Sequence, residues 1–379
     1  MLNKLYYEGD VCDIIEKLDE RKEDIDKKVE NVVKKILEDV REQGDEALMK
    51  YSKAFDGVEF SDISEIIASK EEIEKGAEAA GEDFLRILNR AKEQIIEFHK
   101  NQIEEPWFFQ KENGVVMGQM IRPLKRVAVY VPGGTAIYPS TVLMNTIPAK
   151  LAGVEEVIIL TPVKENGKIP DVIMAAAKVC GVDKIYKIGG AQAIAVATYG
   201  TKTIKKVDKI VGPGNIYVAT AKKLVYGMVG IDMLAGPSEI LVIADETANP
   251  KYVAADLMSQ AEHDKLSSSI LITTSEKLAD EVNEEIKRQI ENLYRKEIIE
   301  YSLKNFGLSI IVETLDEAFD ISNEIAPEHL EVLTKEPMVE LSKVENAGSI
   351  FLGENLPEPL GDYMSGTNHV LPTSRHSKI

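Results

Sequence analysis

The chain has little cysteine: two residues in 379, Cys12 and Cys180, far apart and in no CxxC pattern. Neither a zinc–thiolate site nor a disulfide framework is suggested, and a reducing, cytoplasmic setting is expected. Long apolar runs are missing as well. Stretches such as "EVIIL" and "KIVG" are strand-length, well short of the roughly 18 to 20 residues of a membrane span, so no membrane partner is expected. The N-terminal "MLNKLYYEGD" has no basic start followed by an apolar core, so no secretory leader is read there. Also absent is any block of Lys and Arg. With 45 basic against 64 acidic residues the formal net charge is −19. A surface that binds phosphates is normally basic, so the balance argues against a nucleic-acid partner; the surplus acid is taken as a solubility feature.

What is present is length enough for two or three domains, or for one large two-lobed enzyme. The apolar fraction of 44% is ordinary for a globular chain. The first hundred residues carry apolar side chains at three- and four-residue spacing among charges, as in "VENVVKKILEDVREQ" and "EDFLRILNRAKEQIIEFHK", and are expected to be helical. His99 closes the second of these helices, where an imidazole is favoured by the helix C-terminus without binding anything. From Val127 the texture changes: "VAVYV", "EVIIL", "KIYKI" and "KIVG" alternate with alanine-rich helical stretches. A second series starts at "EILVIAD", with a helix capped by Asn249 and begun by Pro250, then "SSSILITTS" and "LSIIVET". Strand–helix alternation of this kind predicts parallel sheets covered by helices. The fold class expected is α/β: two Rossmann-like parallel-sheet lobes with a helical N-terminal region.

Strands of the first series finish in glycine turns: "VPGG" (Gly133, Gly134), "IGGAQ" (Gly189, Gly190) and "GPGN" (Gly212, Gly214). Ligands of open α/β sheets bind beyond the carboxyl ends of strands, where glycine lets the backbone approach a pyrophosphate. None of the turns is a GxGxxG, and tight turns needing positive φ explain each one equally well. Tyr130, Gln192 and Asn215 stand beside them, placed to reach a ribose or nicotinamide.

The chain has five histidines. In "SQAEHD", Gln260 and His263 are three apart and share a helix face; a satisfied hydrogen-bonded pair is the plain alternative. In "APEHLEV", Glu328 and His329 follow Pro327 at an element boundary, and a Glu–His pair suits acid/base work near neutrality. Asp362 and His369 lie in a glycine-bracketed polar stretch, "GDYMSGTNHV". Amide oxygen, imidazole and carboxylate are plausible zinc ligands, while the HExxH pattern of zinc peptidases is absent.

Taken together, "VAVYVPGGTAIYPS", "GGAQAIA", "GPGN", "GPSEILVIAD", "SQAEHD", "APEHLE", "NAGSIFLG" and "GDYMSGTNHVLPT" make the sequence resemble the histidinol dehydrogenase family, in the family's order from about 127 to 373. The resemblance implies a homodimeric enzyme using NAD and one Zn2+ per subunit to oxidise L-histidinol through L-histidinaldehyde to L-histidine. By motif position, Gln260, His263 and Asp362 correspond to zinc ligands, and Glu328 and His329 to the acid/base pair. Ser238, Gln260, His263, His329 and Asp362 correspond to substrate contacts, and Tyr130, Gln192 and Asn215 to NAD contacts. His369 resembles a residue that reaches the substrate of the partner subunit. The division expected is one discontinuous lobe, 1–126 with 237–379, carrying the zinc and substrate site, and an inserted NAD-contacting lobe, 127–236.

After Thr373 the family pattern is lost in "SRHSKI". The family continues into a helical tail bearing a fourth zinc-ligating histidine and a substrate-contacting glutamate, and His376 is not equated with that histidine. Impaired activity is therefore one expectation. An inactive remnant retaining NAD binding or dimerisation, and a dehydrogenase for another small alcohol or aldehyde, are the rivals.

Overall fold

The computed structural model describes residues 1–19, 27–133, 138–163, 167–233 and 236–373, with backbone alone at Asp13, Lys17, Asp19 and Asp362. Gly134 and His376, both named above, lie outside the described residues. The strands, in chain order, are β1 (Asn3–Tyr6), β2 (Trp107–Gln110), β3 (Val116–Gln119), β4 (Arg126–Tyr130), β5 (Glu156–Thr161), β6 (Lys184–Lys187), β7 (Lys209–Val211), β8 (Gly230–Ile231), β9 (Glu239–Ala244), β10 (Ser268–Thr273), β11 (Gly307–Ile311), β12 (His329–Leu333) and β13 (Ser349–Leu352). The chain divides into two compact units: Met1–Asp24 with Ala235–Gly361 and Leu371–Ile379, and Ile25–Leu234 with Asp362–Val370.

The first unit holds a sheet of order β1-β11-β10-β9-β12-β13, every pair parallel. Strands such as β9, "EILVIA", and β10, "SSILIT", are buried at every position. That is why they read as unbroken runs rather than as alternation: helices cover both faces of a parallel sheet. Two apolar layers result. One, around Val242, Val253, Leu257 and Leu271, covers one face; the other, around Ile14, Leu241, Ile310 and Phe319, covers the opposite face. Asn249 accepts from the Lys251 amide at 3.0 Å ahead of the helix Pro250–Ala261, as its sequence position implied.

The second unit holds the parallel sheet β6-β5-β4-β7-β8. Chain order reverses between β4 and β7, which is the strand order of a Rossmann half and creates a crevice at their carboxyl ends. The expectation that 1–126 would stay with 237–379 is corrected for 25–126. The helix Lys27–Gln43 packs on Gly190–Tyr199 and Ile216–Val225, and Lys70–Ala80 packs on Asp171–Cys180. The apolar stripe Val33, Ile36, Leu37 and Val40 is buried in the same core as β4 and β5. Only 1–24 pairs with the first unit, through β1 on β11 and through Ile14 and Leu18. The break before residue 235 falls close to the expected one at 236/237. Two strand features were not anticipated: β1, inside the first hundred residues expected to be helical, and the antiparallel pair β2–β3, just beyond them.

Candidate active site

In the second unit the β4–β7 crevice opens into a cavity of about 1190 Å³. Tyr130, Gln192 and Asn215, the three expected cofactor contacts, all line it, with Gly133, Gly190, Pro162 and Tyr217. Tyr130 ends β4, and its hydroxyl accepts from the Gly190 amide at 3.1 Å, tying one glycine turn to the next. Burial pushes that phenol up to about 12, so it keeps its proton and can donate to a ligand. Gln192 is 1% exposed, and among the described residues neither its amide oxygen nor its amide nitrogen has a partner. Leaving both ends of a buried amide unmatched is unfavourable, and a ligand with a donor and an acceptor would satisfy it. Asn215 has a structural duty too: its Oδ1 accepts from the amides of Tyr217 and Val218 at 3.1 and 3.2 Å, capping the helix Ile216–Val225.

Gly212 makes the crevice possible. Its φ is +104°, and a Cβ there would lie 2.2 Å from the Tyr130 carbonyl oxygen. The turn is braced from behind: the Asp232 carboxylate accepts from the Gly212 amide at 2.6 Å, and Lys222 donates to the Gly212 carbonyl at 3.0 Å while pairing with Asp232.

The other candidates of the first unit collect at the amino ends of its strands, opposite to the usual ligand edge of such sheets. Ser238 directly precedes β9, and Glu328 directly precedes β12, which His329 begins. Because the helix Pro250–Ala261 runs antiparallel to the strands, its last turn, with Gln260 and then His263, returns to that same edge. The carboxylate of Glu328 accepts from the Glu239 amide at 3.1 Å. Nδ1 of His329 lies 3.1 Å from the Glu239 carbonyl oxygen. A carbonyl can only accept, so Nδ1 carries the proton and Nε2 is the basic nitrogen. Gln260 is 1% exposed and its amide oxygen has no partner among the described residues, so the plain reading of a satisfied pair with His263 does not hold for that atom.

Asp362 and His369 belong to the second unit. His369 meets the Tyr363 ring edge-on at 6.4 Å, and its neighbour Asn368 donates to the Met144 carbonyl at 2.7 Å. His99 is buried, with Nδ1 2.6 Å from the Gln102 side-chain oxygen, in keeping with its position at a helix end. Among the described residues no three His, Cys, Asp or Glu side chains form a metal cage. The side chain of Asp362 lies outside that description.

Sequence reasoning missed a buried acidic cluster beside His329. Glu358 Oε1 is 3.9 Å from His329 Nε2, and its Oε2 accepts from Ser259 at 3.2 Å. The Glu358 amide donates to Glu331 at 2.9 Å. Burial, then the charge of Asp256, holds the Glu331 carboxyl well above the usual range, and burial pushes Asp256 up to about 6. The one signal was a glutamate inside the otherwise apolar strand "HLEVL". Both groups bind protons more tightly folded than unfolded, so their contribution favours the fold at low pH and is lost as pH rises through about 6 for Asp256. Glu331→Gln keeps the hydrogen bonds without the charge. Melting temperature followed from pH 5 to 8 should fall less in this variant than in the wild type; equal slopes would show that the pair holds no shared proton.

The two switch-point sheets and the β4–β7 crevice define a Rossmann-like α/β protein. Its sequence matches the histidinol dehydrogenase family model over residues 19–379. Histidinol dehydrogenase of Lactococcus lactis is 59% identical over 379 residues, covering 100% of this chain and 88% of that protein. That of Clostridium acetobutylicum is 57% identical over 342 residues, covering 90% and 79%. The crystal structure of histidinol dehydrogenase from Elizabethkingia anophelis superposes with a TM-score of 0.93 at 38% identity, covering 100% of this chain and 86% of that one. The chain belongs to the histidinol dehydrogenase family, whose members are oxidoreductases.

Proposed function

We propose that the protein oxidises L-histidinol, by way of L-histidinaldehyde, to L-histidine, with two NAD reduced and one water consumed. The likeness to the Lactococcus lactis protein along the whole chain carries this reading. The cofactor assignment draws support from the cavity and from the unmatched amide of Gln192 within it. Tyr130, Gln192 and Asn215 would hold NAD, which supplies the hydride acceptor. For the metal, support comes from the buried amide oxygen of Gln260, which lacks a partner among the described residues. An amide oxygen, an imidazole and a carboxylate form a donor set zinc accepts, so Gln260, His263 and Asp362 fit it. Bound there, zinc would supply a Lewis acid that fixes the substrate.

In the first step Nε2 of His329 accepts the alcohol proton, with Nδ1 anchored on the Glu239 carbonyl. In the second, Glu328 removes a proton from the water that adds to the aldehyde. Ser238 and His369 are assigned to substrate contact, His369 from a partner subunit. The test is NADH formation from L-histidinol with zinc present, expected at two NADH per histidinol. NAD binding without turnover of histidinol, or zinc-independent turnover of simple alcohols, would overturn it.

A homodimer is also proposed. The β2–β3 pair exposes Trp107, Phe108 and Phe109 with Val116 and Met117. An isolated two-stranded ribbon carrying that much exposed apolar surface is typical of a segment covered by another chain. Sedimentation velocity would show a monomer if this is wrong. Among the described residues no helix is long and apolar enough to cross a membrane. A cytoplasmic setting is proposed because neither Cys12 nor Cys180 forms a disulfide.

A further inference from the structure

One residue of the cavity has no place in the roles given so far. Asp56 closes a short π-helical turn, Ser52–Asp56, and Gly57 follows it with φ +68°. That left-handed residue turns the chain away and leaves the Asp56 side chain at the cavity wall with Phe55, Tyr130 and Pro132. Among the described residues Asp56 is the one charged residue lining the cavity. Its Oδ2 is shielded from solvent and has no hydrogen-bond partner among them. Desolvation raises its carboxyl to about 6, so the fold is under strain from this charge at neutral pH. A half-buried carboxylate with one oxygen shielded and unmatched, in a largely apolar cleft, is kept at a cost to stability.

We propose that Asp56 accepts the vicinal hydroxyls of a ribose of the bound dinucleotide, and that it makes the site select NAD over NADP. The proposal rests on the NAD reading above. A carboxylate has acceptor positions for two hydroxyl donors and none to give. A 2′-phosphate in place of the hydroxyl would bring like charge against it, and among the described lining residues no Lys or Arg offsets that charge. For the phosphates of the same ligand, the amides that follow Gly190 in the first turn of the helix Gly190–Tyr199, which has no side-chain cap, would be separate donors.

The experiment is a fluorescence or calorimetric titration of the whole protein with NAD and, separately, with NADP, for the wild type and for Asp56→Asn. Melting temperature at pH 8 is measured for both. Hydrogen bonds to a charged group support an expected loss of about 10- to 100-fold in NAD affinity for Asp56→Asn. The preference for NAD over NADP should shrink by at least about tenfold. The variant should melt no lower than the wild type, because a partly desolvated charge with an unmatched oxygen has been removed. An unchanged NAD affinity, or an unchanged preference, overturns the proposal. So does a variant that binds NAD poorly and also melts several degrees lower, since the carboxylate would then be structural. A wild type that binds no NAD overturns the cofactor reading itself, an outcome distinct from each of these.

Discussion

Replacing His329 by alanine is expected to lower kcat for histidinol oxidation by about 10²- to 10⁴-fold, the range that removal of a positioned general base produces. The reason is specific to its seat. His329 is 3% exposed, at the first position of β12, and its Nδ1 proton is committed to the Glu239 carbonyl at 3.1 Å. That hydrogen bond fixes both the tautomer and the ring plane, so the basic Nε2 has one direction in which to act. Residues between Val32 and Tyr217 line the cavity proposed for NAD, and His329 is not one of them. NAD affinity measured by titration should therefore stay within about twofold in His329→Ala, while turnover collapses. Folding should survive, since the hydrogen bond to the Glu239 carbonyl contributes about 1 kcal/mol and the void is modest. A variant that keeps kcat within about threefold of the wild type would remove His329 from the chemistry.

The residues that carry this argument were open to sequence reading to different degrees. The strands were legible because "RVAVY", "EVIILT" and "EILVIA" are buried on both faces, which imposes continuous apolar runs. The helix start at Asn249–Pro250 was legible because capping is local chemistry. The allegiance of the N-terminal helices was not. The stripe Val33, Ile36, Leu37 and Val40 states that the helix packs, but it is silent on which sheet receives it. The edge strand β1, "NKLY", is four residues long and mostly exposed, so it leaves almost no periodic signal. The β2–β3 ribbon is exposed along its whole length and was equally unreadable.

The candidate site divides the same way. Glu328 and His329 announce themselves as an adjacent acid and imidazole after Pro327, and the motif resemblance then supplies their roles. Asp56 carries no such mark: "AFDGV" reads as an ordinary turn, and only the π-helical geometry puts its carboxylate at the cavity. Glu331 and Glu358 are 27 residues apart and meet through a backbone amide, a contact no local pattern encodes. Asn215, read for ligand contact, also caps a helix, because one side chain can satisfy two backbone amides and still present its amino group elsewhere.

Gly212→Ala is expected to cost the protein much more than an ordinary glycine substitution in a turn. The added Cβ would sit 2.2 Å from the Tyr130 carbonyl oxygen, a backbone atom that no rotamer change can move aside. The backbone itself, at φ +104°, is strained for any residue bearing a Cβ. Relief by shifting the turn is blocked by its braces, the Asp232 carboxylate at 2.6 Å from the Gly212 amide and the Lys222 ammonium at 3.0 Å from its carbonyl. Strain of about 1–3 kcal/mol, with one charge-assisted hydrogen bond of about 1.5–3 kcal/mol broken, puts the loss near 3 kcal/mol or above. For a unit of this size that is a drop of about 6–12 °C in melting temperature. Gly181→Ala supplies the control. Gly181 ends the helix Asp171–Cys180 with φ +67°, yet a Cβ there meets nothing within 4 Å. Its loss should be the left-handed strain alone, about 1 kcal/mol. If calorimetry finds the two variants equally destabilised, the approach of Gly212 to β4 is not what shapes the crevice. If Gly212→Ala melts several degrees below Gly181→Ala and also loses NAD binding, the turn that packs against Tyr130 is the element on which the cofactor cavity is built.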